Sequence, residues 1–295
     1  MGGCKIKKKI IVIQSCIIAF LIVLLAILIV NPKNISELFI RKPYEQNQMF
    51  VEFGDAFSGF ELTAYDGTTV KELPKGKVSV VTYLSATCSS CMEVLADFNR
   101  FSEVYGDMID YSIIWTDSTP YSLIEKYKID RAINYSLSNK VRLSTSTPTF
   151  YILDENNQVV FRDVERANLF KKLMELDTVD VSLLQNNATM YIAREYYGIS
   201  NIEEFDNKLV YFYMPGCPDC EKVDALFKEN PLPEFDVVYI YKYDSVGDDK
   251  IIDKDKLFAS VYGITWYPSF LAARHGTAKI IGEMPIEQLI DEITK

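Results

Sequence analysis

Cysteine, histidine and basic charge are all scarce in this chain of 295 residues. Six cysteines are too few for a small disulfide-stapled scaffold. The one histidine, His275, falls next to a glycine in a hairpin-turn pattern. Thirty-one lysines and arginines face 41 acids, a formal net charge of −10. Nucleic acid, whose phosphates such a surface repels, is therefore not an expected partner. What basic charge there is gathers at one end. Residues 1–40 hold five lysines against one acid, Glu37, which leaves the remainder at −14. Hydrophobic residues at 48% and charged residues at 24% match soluble globular usage and exclude a disordered or collagen-like chain. At about 150 residues per domain the length suggests two domains.

Only one long apolar run is present, Ile10 to Val30, interrupted by Gln14 and Ser15. At about 1.5 Å per residue it makes roughly 31 Å of helix, the thickness of a bilayer core, and it predicts a transmembrane anchor in contact with lipid. It is longer than a signal-peptide core, and no small-residue cleavage site separates it from Asn31-Pro32. Lys5, Lys7, Lys8 and Lys9 precede it without an acid, whereas Lys33, Arg41 and Lys42 beyond it are diluted by Glu37 and Glu45. That bias orients residues 1–9 as a cytoplasmic tail and everything after Val30 outside. Cys16 lies too early in the run for a lipoprotein site, and Cys4 and Cys16 are read as incidental.

A polar stalk, residues 31–48, leads into alternating strand and helix patterns. Val78 to Ser85 is a β-branched run suited to a sheet centre, and Met92, Leu95, Phe98 and Phe101 recur at helical spacing after it. A strand from Ile109, a helix from Tyr121 and a hairpin from Pro148 complete the order β-α-β-α-β-β. The same order returns after Lys208: a strand to Tyr213, a helix through Val223, a strand from Asp236, a helix from Leu257, a hairpin from Ser269 and a last helix. The pattern predicts one fold used twice, residues 49–178 and 201–295, joined by a helical linker, residues 179–200, broken at Asn186-Asn187-Ala188.

Four of the six cysteines form two C-x-x-C pairs, Cys88-Ser-Ser-Cys91 and Cys217-Pro-Asp-Cys220, each where a strand ends and a helix begins. A thiolate at a helix N-terminus is stabilised by unpaired backbone N–H groups and the macrodipole. Cys88 and Cys217 are therefore the expected nucleophiles. Cys91 and Cys220, three residues on and on the same face, are placed to resolve a mixed disulfide. Pro218 suits the first helical turn because its missing N–H has no partner there.

With a proline opening a later strand in each half, Thr147-Pro148 and Tyr267-Pro268, the chain resembles the thioredoxin-fold thiol-disulfide oxidoreductases twice over. The first half is similar to the membrane-anchored TlpA-type branch. The second resembles compact thioredoxins and bacteriocin transport accessory proteins. The resemblance implies an α/β chain of two thioredoxin-like domains, each a mixed central sheet flanked by helices, after the transmembrane helix. It also implies that both prolines are cis and face the cysteine pairs, with Thr147, Pro148, Tyr267 and Pro268 binding substrate backbone. Trp266, next to Tyr267, is a candidate for an apolar patch receiving substrate near Cys217.

The chain departs from that family at two points. The tryptophan usual before the first cysteine is replaced by Thr87 and Gly216, and the buried acid six residues before it by Thr82 and Tyr211. Asp219 and Glu221 add negative charge beside the second pair, so the first pair is expected to be the more oxidising. A structural zinc site is the main rival, but 125 residues separate Cys91 from Cys217, against about 15–20 in such sites. No metal site is expected, and neither is an organic cofactor, since the cysteines carry the electrons. Copper delivery would need a C-x₃-C pair and a well-placed histidine, and peroxidase chemistry a Pro-x-x-x-Thr-x-x-Cys stretch. The sequence predicts a single-pass cell-membrane protein of a bacterial envelope, with both domains extracytoplasmic. Its expected partners are the thiols and disulfides of exported proteins and a membrane or extracytoplasmic redox partner. A catalytically silent binding module is the alternative.

Overall fold

Runs of β-branched and aromatic residues nucleate the centres of two sheets in a computed structural model that describes residues 49–137, 141–229, 231, 235–242, 251–274 and 277–294. The apolar run Ile10–Val30, the stalk, Cys4, Cys16 and His275 lie outside the described residues. Among the described residues no helix is long and apolar enough to cross a membrane.

The first sheet holds β1 (Leu62–Ala64), β2 (Thr69–Val70), β3 (Ser79–Leu84), β4 (Asp110–Trp115), β5 (Asn134–Leu137), β6 (Thr149–Leu153) and β7 (Val159–Asp163), in the order β2-β1-β5-β4-β3-β6-β7. β3 is buried along its whole length, as expected for a central strand covered on both faces. It runs parallel to β4, β4 runs parallel to β5, and β6 and β7 return antiparallel. The second sheet holds β8 (Lys208–Tyr213), β9 (Asp236–Tyr241), β10 (Ile251–Ile252), β11 (Ser269–Arg274) and β12 (Thr277–Ile281), in the order β10-β9-β8-β11-β12. Here too the first three strands are parallel and the last two antiparallel. Without the β1–β2 hairpin, the two sheets share one strand order and one set of strand senses. β5 and β10 were not legible as strands: one is the polar Asn-Tyr-Ser-Leu, and the other is two residues long.

Eight helices are described: α1 (Ser89–Ala96), α2 (Phe98–Tyr105), α3 (Tyr121–Lys126), α4 (Arg166–Met174), α5 (Val181–Tyr197), α6 (Pro218–Glu229), α7 (Leu257–Val261) and α8 (Ile286–Thr294). Two differ from the pattern reading. The single helix expected after the first cysteine pair is broken at Asp97, where α1 ends and α2 begins. The break expected at Asn186-Asn187-Ala188 is absent, and α5 runs straight through it. Caps explain the length of α5. The Asp180 carboxylate accepts from the Ser182 and Leu183 N–H groups at 3.0 and 3.1 Å, and Gly198, with φ 68°, ends the helix in the left-handed region. The Asn187 side chain does not compete with its own backbone but donates to the Val104 carbonyl of α2 at 3.2 Å.

α5 is also where the two halves meet. It packs on α2 of the first half and α7 of the second. Ala188 and Ile192 are fully buried in a core continuous from Val80 and Leu84 of β3 to Val210 and Phe212 of β8. Alternate residues of each strand point the other way. Val81 and Tyr83 face a separate core beneath the N-terminal segment, and Leu209 and Tyr211 face one beneath α6 and α8. Consequently α1 lies on the face of its sheet toward the second half, and α6 on the face of its sheet away from the first.

A buried charge cluster sits in that contact. Asp97 pairs with Arg100 at 3.2 Å and accepts from Arg166 at 3.0 Å. Arg166 also bonds the Val94 carbonyl at 3.3 Å and pairs with Asp255. Arg100 reaches the Ile252 carbonyl and covers the Phe258 ring. Arg100 and Arg166 are buried whereas Asp97 and Asp255 keep part of their surface in water, so removing Asp97 leaves two buried guanidinium groups short of a partner, and breaking such a pair costs about 3–5 kcal/mol. Asp97→Ala is expected to lower the unfolding free energy by about 3 kcal/mol in equilibrium urea denaturation.

Candidate redox site

Each cysteine pair is built by the turn between a central strand and the helix after it. In the first half the Cys88 N–H donates to the Ser85 carbonyl at 3.2 Å, and Cys88 caps α1 with φ −92° and ψ 120°. In the second half the Cys217 N–H donates to the Met214 carbonyl at 3.1 Å, and α6 starts at Pro218. Gly216, with φ +74°, occupies the left-handed region there, so a tryptophan before Cys217 would be strained.

The later prolines arrive as expected. Thr147-Pro148 and Tyr267-Pro268 are both cis. The Cys88 thiol donates to the Thr147 carbonyl at 3.3 Å, and the Cys217 thiol to the Tyr267 carbonyl at 3.5 Å. Thus each first cysteine faces the carbonyl that precedes a cis-proline, across 59 residues in one half and 50 in the other. The four site cysteines are thiols; Cys88 is half-buried, while Cys91, Cys217 and Cys220 are buried. Trp266 is 54% exposed and lines a groove beside the second pair.

Electrostatics separate the two sulfurs of the first pair. Partial burial opposes ionisation of Cys88, but hydrogen bonds from Cys91 and the Ser90 hydroxyl outweigh it and lower the thiol from 9.0 to about 7. The Cys91 N–H lies 3.3 Å and the Ser90 Oγ 3.1 Å from its sulfur. Burial, with a contribution from the neighbouring Cys88, pushes Cys91 up to about 12. Burial likewise pushes Cys220 up to about 12. In each half the second sulfur is fully buried and held protonated, and Cys88 is the more exposed of the two first sulfurs.

Two groups escaped the pattern reading. Ser90 lies inside the C-x-x-C loop, where nothing in the sequence marks its hydroxyl as pointing to sulfur. Tyr211, six residues before Cys217, donates to the Cys220 carbonyl at 3.1 Å and stacks on Phe270. Burial drives its ionisation upward, so it is a neutral donor. Behind it Tyr239 donates to Asp224 at 3.4 Å, and burial raises that carboxyl. Alternating tyrosines in β8 and β9 are the visible signature of this stack. Thr82, the other replacement, is buried opposite Phe150.

Fold and site together define a mixed α/β protein with two cysteine pairs, each at a strand–helix turn and each facing a cis-proline. No family model matches the chain, and no curated protein matches it. Solved structures similar to parts of it include thiol-disulfide oxidoreductases. A thiol-disulfide oxidoreductase from Bacteroides fragilis is 16% identical with a TM-score of 0.35, over 42% of this chain and 98% of that one. A thiol:disulfide interchange protein from a Bacteroides species is 17% identical with a TM-score of 0.36, over 43% and 91%. An exposed lipoprotein thioredoxin from Streptococcus pneumoniae is 23% identical with a TM-score of 0.30, over 40% and 98%.

A thiol near 7 is mostly thiolate above that pH and loses reactivity as pH falls through it. Alkylation of Cys88 by iodoacetamide, followed by peptide mass spectrometry, is expected to reach half its maximal rate near pH 7. Ser90→Ala is expected to move that midpoint upward by about half a unit or more, because one hydrogen bond to the charged form is lost.

Proposed function

We propose that the chain is a membrane-anchored, extracytoplasmic thiol-disulfide oxidoreductase with two thioredoxin-like domains, residues 49–178 and 201–295. The observation that carries this reading is the repeated geometry of the first cysteines. Both sit at a strand–helix turn, both donate to the carbonyl before a cis-proline, and both have a buried partner three residues on.

The chemistry follows from that placement. The Cys88 or Cys217 thiolate attacks a substrate disulfide, forms a new S–S bond and expels the first substrate thiolate. Cys91 or Cys220 then loses its proton and attacks the mixed disulfide, releasing the second substrate thiol and leaving the pair oxidised. Two electrons have moved to the substrate, and the reverse sequence oxidises a substrate dithiol. The cysteines are the only redox carriers this scheme requires. Backbone groups at Thr147 and Tyr267, next to Pro148 and Pro268, hold the substrate strand. Anchoring through residues 10–30 presents both sites to exported proteins, and a membrane or extracytoplasmic redox partner resets them. The opposed reading, a silent binding module, has no use for a thiol held near pH 7.

The test is mass spectrometry after alkylation in glutathione buffers of graded potential, with Cys→Ser variants of each pair. Both pairs are expected to titrate reversibly. A potential near about −270 mV marks a reductase and one near about −120 mV an oxidant. Because Asp219 and Glu221 put negative charge beside the second pair, the Cys88–Cys91 pair is expected at the higher potential. Failure of both pairs to titrate overturns the proposal in favour of the binding module.

A further inference from the structure

Beside the second cysteine pair lies an open groove of about 770 Å³. One wall is the first turn of α6, with Asp219 two residues beyond Cys217 and Lys222 one turn on. A second is Trp266, adjacent to the Tyr267 carbonyl that faces the Cys217 sulfur. The third is the turn between β12 and α8, from Glu283 to Glu287. Its floor is apolar, through Trp266, Met284 and Ile286, and its rim is acidic.

The rim charges are unbalanced. Asp219, Glu283 and Glu287 are three carboxylates against the single ammonium of Lys222, and that ammonium bonds Asp219 at 2.7 Å. Glu283 is held in place, its carboxylate accepting from the Thr265 hydroxyl at 2.7 Å with its own backbone at φ 55°. The equivalent groove beside Cys88 is different. Lys254, Asp255 and Lys256 of the second half line it, Lys254 pairs with Glu93 at 2.5 Å, and positive and negative side chains are equal in number.

Resting on the oxidoreductase reading, we propose that the second site selects cysteines carried on extended, cationic and apolar segments of a partner protein. An exposed indole offers an apolar and cation–π face, and the carboxylates attract lysine or arginine flanking the reacting cysteine. The Cys88 site, with its balanced groove, lacks this preference.

The test uses the full chain in detergent with Cys88 and Cys91 changed to serine, so that only the second pair reacts. Two synthetic peptides carry one cysteine as a mixed disulfide with thionitrobenzoate, flanked by two lysines in one and two glutamates in the other. Hydroxyethyl disulfide is the uncharged control. In a single turnover the pair's own two electrons reduce the probe: Cys217 displaces thionitrobenzoate, and Cys220 then releases the peptide thiol. The lysine peptide is expected to react about fivefold faster than the glutamate peptide at low salt, with the difference shrinking in about 0.5 M salt. Glu283→Gln with Glu287→Gln is expected to bring the ratio to about 1.5 or below while the hydroxyethyl disulfide rate stays intact, which also shows the variant is folded. Equal rates for the two peptides, or a preference for the glutamate peptide, with hydroxyethyl disulfide still reduced, overturn the groove assignment and leave the oxidoreductase reading standing. No reaction with hydroxyethyl disulfide overturns both.

Discussion

Asp97 is the point on which the arrangement of the two halves turns. It stands at the break between α1 and α2, and two buried arginines converge on it, Arg100 from its own helix and Arg166 from α4. Those arginines then reach the Ile252 carbonyl, the Phe258 ring and Asp255, all from the second half. Asp253, fully buried, accepts from the Phe258 and Ala259 N–H groups at the start of α7 and fixes the loop they grip. Buried ion pairs seldom supply net stability, because desolvation takes back most of the Coulomb gain. The energy of the contact comes from the apolar core around α5, and the charges set its register. Leucine and isoleucine faces could slide past one another, whereas three carboxylates and two guanidinium groups match in one alignment.

That alignment makes the two redox sites unequal although their local turns are alike. α1 faces the shared layer, so the groove beside Cys88 is walled by both halves. α6 faces outward, so the groove beside Cys217 is built from the second half alone. A change in the docking of the halves therefore alters what the first site can admit and leaves the second untouched. The sulfur environments differ as well. Cys88 has a serine hydroxyl and a backbone N–H at its sulfur, whereas the second motif puts proline and aspartate in the loop.

Much of this was legible in the sequence, and for definite reasons. The strands β3 and β8 are uninterrupted apolar runs, and a turn followed by C-x-x-C admits few other placements. The prolines at 148 and 268 each open an apolar strand, but it was the family resemblance that matched them to the cysteines. What the sequence hid were pairings decided by tertiary context. β5 and β10 become strands because a neighbouring strand edge recruits them, not because their composition demands it. Asn187 looked like a helix breaker until its amide found a carbonyl on another helix. Nothing in the sequence marks Asp97, and only Arg166, 69 residues away, makes it a junction.

The tyrosine stack beneath the second site shows how a fold can meet one chemical need with a different group. In the proposed exchange Cys220, pushed up to about 12 by burial, would need a nearby polar group when its proton leaves. In this chain the position below it carries a phenol, and the carboxyl lies further out, on the same helix as Cys220 and one turn on. Tyr211 fills the volume an acid would leave empty, stacking on Phe270 with ring centres 4.5 Å apart. Its hydroxyl fastens the Cys220 backbone, while Tyr239 and Asp224 lie at the wetter end of the same aromatic cluster. A phenol that burial keeps neutral can donate a hydrogen bond but cannot accept a proton as a carboxylate does. The same residue that rigidifies the second site thus places a phenol rather than a base beneath it, so in the proposed exchange resolution at Cys220 would depend more on solvent or on the departing substrate thiolate than it would above an aspartate.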